Sequence, residues 1–537
     1  MDWSGCRWIP PSHYLFISVK LLYFAAALVA YSANSEQLFV SPNGAGATNG
    51  LGWENAWAYD QFNNATNWAA ADGKIGAGDT VYFSGGSAGE TYSGNLNFRG
   101  SGSVDARITI KPGASHSTLA SGHDGVVTIA GSVEDNFNGY VDLDGSWEGF
   151  PSVADAEDAG QLVESHYKFV VTNPSGQGIH YKDRDGIWVT AVAVLRCGTT
   201  GSANHGFYSN PNAGSEPIGV VIEKCLIADN LGDGINNTQN DASSTTNTVI
   251  RLCHIVGNVQ DGVQAACGMT LSQCFMDGEG TQPGEHGDGW QAASGGNMVA
   301  DGNIFRAWPQ TIFIESSGSD ADMTNIRISN NSFYYASNFG YMAGLLIYAK
   351  FTSDNVIVGF TNLIIANNTF YGLTNRNQFK LGLNQVVPTT NGTCRVRTSL
   401  VANNIFFNSD PSYLPVNIES LDTTEGDFRV QTNIFFGNTG IDWSGTSYAN
   451  PAAMEAALPS FTGNTTGEPL FVSAPENLRI ADGDTVALDH GADLQSLFTV
   501  DATGSTRIAP WDIGAYEYLG RRASVGTVNV GNLTITP

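Results

Sequence analysis

The chain has 537 residues, of which 24 are Lys or Arg and 51 are Asp or Glu, so its formal net charge is −27. Such a negative surface repels nucleic acid and anionic membranes, because both are bound through clustered Lys and Arg. Only 14% of the residues are charged and 63 are Gly, which excludes a disordered chain and disfavours a helical one. The composition favours a large, turn-rich β protein that binds no nucleic acid.

The N-terminus predicts export. Arg7 and Lys20 precede a short apolar run at residues 21–30 (LLYFAAALVA), and small residues follow at 31–35. A basic flank, a short apolar core and a small-residue exit are typical of a secretory signal peptide. The run is shorter than the roughly 20 residues of a membrane-spanning helix. We therefore assign residues 1–32 to a signal peptide, with an uncleaved anchor as the alternative, and expect an extracellular or periplasmic protein.

A repeated pattern dominates the rest of the chain: Cys or Asn followed by a short apolar or aromatic strand. It recurs every 21 to 37 residues, most often about 28, which is typical of a solenoid whose repeats bury their apolar faces against one another. Stacked Asn side chains can hydrogen-bond from coil to coil, and Cys would be a small buried substitute, with a disulfide as the alternative. The aligned positions are Cys197, Cys225, Cys253, Cys274, Asn303, Asn331, Asn368, Asn404 and Asn433.

A second pattern has the same period, with Gly preceding a short strand. Two patterns with one period indicate two different strands of the same coil, and strands of about five residues favour β structure. Together they predict an all-β chain, a right-handed parallel β-helix (β-solenoid) with about nine or more coils. The glycines are Gly178, Gly206, Gly234, Gly262 and Gly289, and the pattern continues from Thr311 and Gly344.

These patterns divide the chain into segments. We assign residues 37–130 to an N-terminal cap and first coils, and residues 131–518 to the parallel β-helix with loop insertions. An acidic stretch at 146–165 interrupts the repeat and is expected to be a surface loop, and ANPAAMEAALPSF near residue 450 suggests a short helix. Residues 519–537 are assigned to a C-terminal tail or linker.

Two regions resemble a known superfamily. The opening LFVSPNGAGATNGLGWENAW with GDTVYFSGG, and the closing STRIAPWDIGAYEY, look like the entry and terminal coils of secreted pectin-lyase-like and polysaccharide lyase-like β-helix proteins. The resemblance implies the fold of these secreted proteins, and we expect a monomer whose partner is a polysaccharide substrate. It does not imply one reaction, because the superfamily contains lyases, hydrolases, epimerases and noncatalytic adhesins.

Alternation along the second strand predicts a binding face. If the residue after each Gly points into the core, the next residue points outward. That outward row comprises His180, Tyr208, Asn236, Gln264, Gln291, Phe313 and Leu346. Amides and aromatic rings suit a sugar chain, although amides on a sheet can also simply face water. The predicted substrate-binding residues are Asn236, Gln264, Gln291, Tyr208, Tyr348, Lys350 and Arg306.

Three coils repeat an acid before the strand, as Asp233-Gly, Asp261-Gly and Asp288-Gly. Stacked carboxylates cannot all ionise cheaply, so one is expected to keep its proton as a general acid while a neighbour acts as base or nucleophile. His286 and Glu315 are further catalytic candidates. Asp-Gly is also a common turn pair, and the same carboxylates are candidate ligands for Ca²⁺. The cofactor prediction is therefore none, or Ca²⁺.

Three functions remain open. Clustered Asp residues favour a glycoside hydrolase acting on an extracellular polysaccharide. A polysaccharide lyase would need Arg, Lys or Ca²⁺ to neutralise a uronate, and the candidate cations are Arg306, Arg327 and Lys350. The region from Glu315 to Asn331 resembles that of chondroitinase-B-like lyases, but Ser316 and Ser317 stand where the resemblance would place the Lys. A noncatalytic adhesin or structural protein is the third possibility. A noncatalytic rod would need no acids clustered at one place, so their focus between positions 233 and 315 favours an enzyme.

Overall fold

The computed structural model describes residues 35–134, 139–181, 185–199, 204–209, 218–237, 248–265, 268–279, 281, 287–293, 295–316, 322–334, 343–351, 357–373, 377–385, 393–408, 412–419, 421–422, 427–518 and 520. The predicted signal peptide, and all of the C-terminal tail except position 520, therefore lie outside the described residues. No helix within these ranges is both long enough and apolar enough to cross a membrane.

Three long sheets form the described part of the protein, and every coil except the last contributes strands to all three. Sheet 1 has 17 strands. Its strands are Gln37–Ser41, Trp57–Ala58, Thr80–Phe83, Ile108–Pro112, Val141–Asp144, Trp188–Thr190, Val221–Glu223, Thr248–Arg251, Met269–Ser272, Gly296–Asp301, Met323–Ser329, Ile357–Ala366, Thr393–Arg397, Ser399–Ala402, Leu421–Asp422, Phe428–Gln431 and Phe461–Thr462.

Sheet 2 has 13 strands, all parallel to their neighbours. They are Glu90–Ser93, Val127–Ala130, Phe169–Thr172, Ala193–Leu195, Leu226–Ala228, His254–Val256, Phe275–Asp277, Ile304–Arg306, Ser332–Tyr334, Thr369–Tyr371, Ile405–Asn408, Ile434–Gly437 and Thr465–Thr466.

Sheet 3 also has 13 strands, of which the last is antiparallel to its neighbour. They are Leu96–Asn97, Val133–Glu134, Ile179–His180, Phe207–Ser209, Ile235–Asn237, Val263–Ala265, Asp288–Ala293, Gln310–Glu315, Ala343–Phe351, Asn377–Gln385, Val416–Ile418, Ile441–Trp443 and Thr446–Tyr448.

The remaining elements are short. The α-helices are Tyr59–Phe62, Ala156–Ala159 and Pro451–Glu455, and the last of these confirms the helix predicted near residue 450. The 3₁₀ helices are Trp53–Asn55, Ala65–Asn67, Gly113–Ser115 and Glu164–His166, and a separate hairpin pairs Phe471–Ser473 with Asn477–Ile480.

Parallel strands that recur in fixed order around a common core define a parallel β-helix. Crossover connections between parallel strands are right-handed in nearly all proteins. The 13 strands of sheet 2 give 13 coils in the described residues, so the predicted right-handed parallel β-helix of nine or more coils is confirmed. The resemblance to the pectin-lyase-like superfamily therefore holds for the fold.

A column of side chains ties successive coils together before sheet 2. The Oδ1 atom of Asn331 accepts the backbone N–H and the side-chain N–H of Asn303, both at 2.9 Å. The same pair of bonds recurs through Asn368, Asn404, Asn433 and Asn464. A residue with positive φ precedes many of these positions, as at Asn367 and Asn403, and makes the bend into sheet 2.

The predicted Cys positions continue this column, with one correction. Cys225, Cys253 and Cys274 are buried free thiols at the same turn, and the Cys274 N–H donates to Asn303 Oδ1 at 2.9 Å. Cys197 does not belong there, because it follows its sheet 2 strand instead of preceding it. Its N–H donates to Asn230, the first residue of a different Asn column in the turn after sheet 2.

Two of the three outer faces are covered at least in part. The stretch predicted as a surface loop places Val153 and Leu162 against the outer side of sheet 2, and Tyr167, which follows the stretch, packs there as well. Part of the C-terminal region packs on sheet 1 through Phe498 and Trp511. Sheet 3 is the sheet on which the predicted site residues are concentrated.

Candidate functional site

The outer face of sheet 3 carries a continuous row of side chains, one from each coil that has a strand in this sheet. The pairing register aligns His180 with Tyr208, Tyr208 with Asn236, and so on to Leu346, which confirms the predicted row as neighbours. The full row, as the register extends it, is Asn97, Glu134, His180, Tyr208, Asn236, Gln264, Gln291, Phe313, Leu346, Lys380, Asn417 and Asp442.

The amides in the middle of this row bond to one another. Asn236 Nδ2 donates to Gln264 Oε1 at 2.6 Å, and Gln264 Nε2 donates to Gln291 Oε1 at 3.1 Å. Among the described residues, the Nε2 group of Gln291 has no acceptor. The amide chain therefore ends at Gln291 with two N–H donors that a ligand can use.

The three predicted aspartates form a second column at the start of the same strands. Asp233 Oδ1 accepts the backbone N–H of Asp261 at 3.0 Å, and Asp261 Oδ1 accepts the backbone N–H of Asp288 at 2.9 Å. Their side chains are only 3%, 4% and 4% exposed. Asp233 and Asp261 thus hold adjacent coils together, as the Asn residues do elsewhere.

This aspartate column begins two coils earlier, with residues that the sequence analysis missed. Gln177 Oε1 accepts the N–H of His205, and His205 Nδ1 accepts the N–H of Asp233 at 3.0 Å. Both residues stand directly before the repeated Gly, in QGIH and HGFY. That shared position was the available signal, but a search for acids alone does not use it.

The glycine after each column residue has its own cause. A Cβ on Gly234 would lie 2.7 Å from the carbonyl oxygen of Gly262, and a Cβ on Gly289 would lie 2.5 Å from that of Thr311. No side chain fits in that space without moving the backbone. The Asp-Gly pattern therefore records two requirements, an acceptor for the next coil and close packing of the turns.

Asp288 differs from the other two aspartates because the column ends there. Its own N–H is bonded to Asp261, but no donor in the described part of the chain reaches its carboxyl group. The strands that begin at Asp288 and Gln310 are each six residues long, and they pair with each other from these first residues onward. The backbone at Asp288 is therefore part of sheet 3. Asp288 and Gln291 thus end their two columns in the same coil.

Burial raises the pKa values of the Asp288 and Asp261 carboxyl groups. Desolvation raises the pKa of Asp288 well above its usual range, and the neighbouring charges of Asp261 and Asp233 raise it further. Desolvation and Asp233 likewise raise the pKa of Asp261, while the N–H bond from Asp288 opposes that rise. A raised pKa favours the protonated form, which is the form that a general acid needs.

Asp233 is engaged on both oxygens. Asn236 Nδ2 donates to Oδ2 at 2.6 Å, the Asp261 N–H donates to Oδ1, and His205 Nδ1 lies 3.1 Å from Oδ2. The bond from Asn236 links the aspartate column to the amide row. The His205 ring in turn stacks on Tyr208 with centroids 5.4 Å apart.

An apolar patch adjoins the end of the amide row. Phe313, paired with Gln291, packs with Leu346 and Tyr348, and the Phe313 and Tyr348 rings meet edge to face at 6.1 Å. Aromatic rings beside amide donors suit a sugar, which has apolar C–H faces and polar hydroxyl edges. We call Asp288, Gln291 and Phe313 the junction.

Glu315 lies away from the aspartates. Asp288 pairs with Gln310, and Glu315 is five residues further along the strand, so their Cα atoms are about 17 Å apart at 3.3 Å per residue. It lies instead next to Tyr348, in a group with Lys380 and Glu419, two residues that the sequence analysis missed. Lys380 Nζ lies 2.7 Å from Glu419 Oε1.

The predicted arginines are on other faces. Arg306 ends a strand of sheet 2, where it pairs with Asp277 and with Glu279 at 2.9 Å. Arg327 is on sheet 1, and its Nη1 donates to the carbonyl of Leu497 at 2.8 Å. Neither belongs to the row on sheet 3, because Arg306 is on a strand of sheet 2 and Arg327 is on a strand of sheet 1.

Two further candidates are not located by the structure. His286 lies outside the described residues. Lys350 is within a sheet 3 strand, but only its backbone is described. Their predicted roles stay predictions. Among the described residues, no three His, Cys, Asp or Glu side chains are grouped so as to hold a metal ion, and Ca²⁺ binding likewise stays a prediction.

No family model matches the chain. No curated protein matches it significantly. Solved structures with a similar fold include the complex of XylC with xylose (11% identity, TM-score 0.48, 90% of this chain and 98% of that one). Others are pectate lyase Pel9A (13%, 0.35, 90% and 98%) and the GH136 lacto-N-biosidase from Eubacterium ramulus (8%, 0.34, 74% and 67%). At these values the similarity does not specify a reaction.

Proposed function

We propose that this protein is a secreted enzyme that hydrolyses glycosidic bonds of a polysaccharide bound on the outer face of sheet 3. The observation that carries the proposal is the junction. A buried acid with a raised pKa and an amide with two available donors are on one strand, and an aromatic ring is paired with that amide on the next coil. Sugar recognition and glycosidic bond cleavage require these three kinds of group together.

Asp288 and Asp261 divide the catalytic roles. Asp261 is the carboxyl of the pair that loses its proton first, because the Asp288 N–H bond stabilises its ionised form. Asp288 gives its proton to the glycosidic oxygen, while the ionised Asp261 carboxylate attacks the anomeric carbon and the bond to the leaving sugar breaks. Asp288 then takes a proton from water, which displaces Asp261 and releases the second product. The two residues are on adjacent coils, about 4.8 Å apart at the backbone, which suits the short carboxyl separation of retaining enzymes.

Gln291 and Phe313 position the sugar. The Gln291 amide donates to a hydroxyl group, and the Phe313 ring packs against the C–H face of a neighbouring unit. Asp233 has a different part, because its two oxygens are already bonded to Asn236 and to the backbone of Asp261. It fixes the column on which Asp261 and Asp288 depend.

One specific observation favours the noncatalytic alternative. Asp233 and Asp261 both accept a backbone N–H from the next coil, which accounts for two of the three repeated Asp-Gly pairs by packing alone. A glycan-binding β-helix would need nothing more. The two functions differ in what they require of Asp288, which bonds no coil after it.

The test is cleavage by the purified protein and by Asp288→Asn. A panel of neutral and uronate-containing polysaccharides is incubated with each, with and without Ca²⁺, and new reducing ends are counted. Loss of a general acid typically costs 10²–10⁴ in rate, so D288N should be at least about 100-fold slower. Asp427→Asn, the same change at an exposed carboxylate beside sheet 1, is the matched control and should keep full activity. Equal rates for wild type and D288N would refute the assignment.

A further inference from the structure

We infer that the polysaccharide bound on sheet 3 is uncharged instead of a uronate polymer. The inference rests on the proposed function and adds the substrate class to it. Lys380 is the only Lys or Arg in the twelve-residue row, whereas Glu134 and Asp442 are acids of the same row. Glu315 and Glu419 flank the row on the same face, beside Tyr348 and Lys380.

The positive charge of Lys380 is already balanced. Its Nζ atom lies 2.7 Å from Glu419 Oε1 and 5.7 Å from the centre of the Tyr348 ring. Recruiting Lys380 to a substrate carboxylate would break that ion pair and leave Glu419 beside the bound anion. The ion pair therefore stabilises the local arrangement of side chains, and Lys380 adds no net positive charge to the outer face of sheet 3.

Of the other predicted cations, the two whose side chains are described are turned to other faces. Arg306 pairs with Asp277 and Glu279 on sheet 2. Arg327 is 4.0 Å from Asp301 on sheet 1 and lies over the Phe498 ring. Each is balanced by its own acid, so none supplies the neutralisation that β-elimination from a uronate requires.

A neutral sugar fits the remaining groups. Gln291 offers amide donors to hydroxyl groups, and Phe313, Leu346 and Tyr348 offer apolar contact. A polymer with a carboxylate on its sugar rings would bring like charges near Glu315 and the aspartate column. At an effective dielectric constant of about 20, one like-charge contact near 10 Å corresponds to about a tenfold change in affinity or more.

The experiment compares one polymer with its own charged form. Glucomannan and mixed-linkage β-glucan are each used as the native polymer and after oxidation of their C6 hydroxymethyl groups to carboxylates. Binding to the D288N protein is measured by affinity electrophoresis, and cleavage by wild type is followed through reducing ends. We expect the oxidised form to bind at least about tenfold more weakly at low salt, and added NaCl to narrow the gap because it screens charge.

The outcomes separate the inference from the proposed function. Equal or tighter binding of the oxidised polymer would overturn the inference and leave hydrolysis standing; loss of that binding in Lys350→Met would identify the responsible cation. Binding of a native polymer by D288N without cleavage by wild type would contradict the proposed function and keep the preference for a neutral glycan. Binding of neither form would contradict both.

Discussion

Replacing Asp261 tests whether the aspartate column has both a structural and a catalytic role. Asp261 Oδ1 accepts the Asp288 backbone N–H at 2.9 Å in a buried turn. Asp261→Ala removes that acceptor, whereas Asp261→Asn keeps a carbonyl oxygen of similar reach. The Asn columns before sheet 2 show that an amide performs this task at the same distance, as between Asn303 and Asn331.

The difference between the two variants isolates one hydrogen bond. Both lose the carboxyl group, and hence the free-energy cost of burying it, but only the Ala variant leaves the Asp288 N–H without a partner. An unsatisfied buried donor costs about 1–3 kcal/mol. D261A should therefore be less stable than D261N by about that amount, which corresponds to a factor of about 5 to 150 in a local opening equilibrium.

Hydrogen exchange at the Asp288 amide is the most direct assay. A solenoid is stabilised by contacts between neighbouring repeats, so a local readout reports the bond better than a global unfolding midpoint. Protection of this amide should fall in D261A and persist in D261N, while both variants lose polysaccharide cleavage. Equal protection in the two variants would refute the column, and full activity of D261N would refute its catalytic role.

Three further predictions concern the same molecule. Folding raises the pKa of Asp288, so above pH about 4 this carboxyl releases its proton when the protein unfolds, and the free energy of unfolding should fall as the pH rises. Denaturant titration at several pH values measures how steeply this free energy falls with pH, and the dependence should be weaker in D288N. An unchanged dependence in D288N would contradict the burial argument. The buried thiols of Cys225 and Cys253 should react with Ellman's reagent only after unfolding, so rapid labelling of the native protein at either would contradict the packing described. Proton NMR of the first product should show the anomeric configuration of the substrate, because Asp261 and Asp288 are on adjacent coils; the opposite anomer would assign the base to another carboxylate.

The fold could be predicted because two sequence patterns share one period. Cys or Asn precedes one strand of a coil, and Gly precedes another. A position that must accept a neighbour's N–H and fit a tight turn tolerates few residue types, which is why Asn331 and Asn368 recur with Cys274 at equivalent sites. Cys197 shows the limit of spacing. It lies 28 residues before Cys225 in the chain, yet it occupies the turn after sheet 2, because a gap equal to the period does not reveal the phase.

The site was predictable only in part. Alternation placed Asn236 and Gln291 correctly on one face, since their pairing follows from the strand register. It could not place Arg306, because a single coil contributes strands to three sheets and the sequence does not say to which. The separation of Glu315 from Asp288 depends on the longer strand between them, a property of the three-dimensional pairing.

The sequence of a polar column does not distinguish residues that stabilise the fold from residues that could take part in catalysis. Asp233, Asp261 and Asp288 have the same sequence context, and only the hydrogen bonds show that Asp288 has no donor among the described residues while the other two accept backbone N–H groups. The sequence pattern identified the column, and the geometry selected the residue within it that is available for chemistry.

The central claim is tested most directly by the mass of the products that the purified protein releases from a neutral polysaccharide in water enriched in ¹⁸O. Hydrolysis through the junction predicts that every new reducing end carries one ¹⁸O atom and that the label is absent with D288N. Unsaturated products without ¹⁸O from a uronate polymer treated in the same way would show elimination, and an unchanged polymer across the neutral and uronate panel would contradict catalysis at Asp288 altogether.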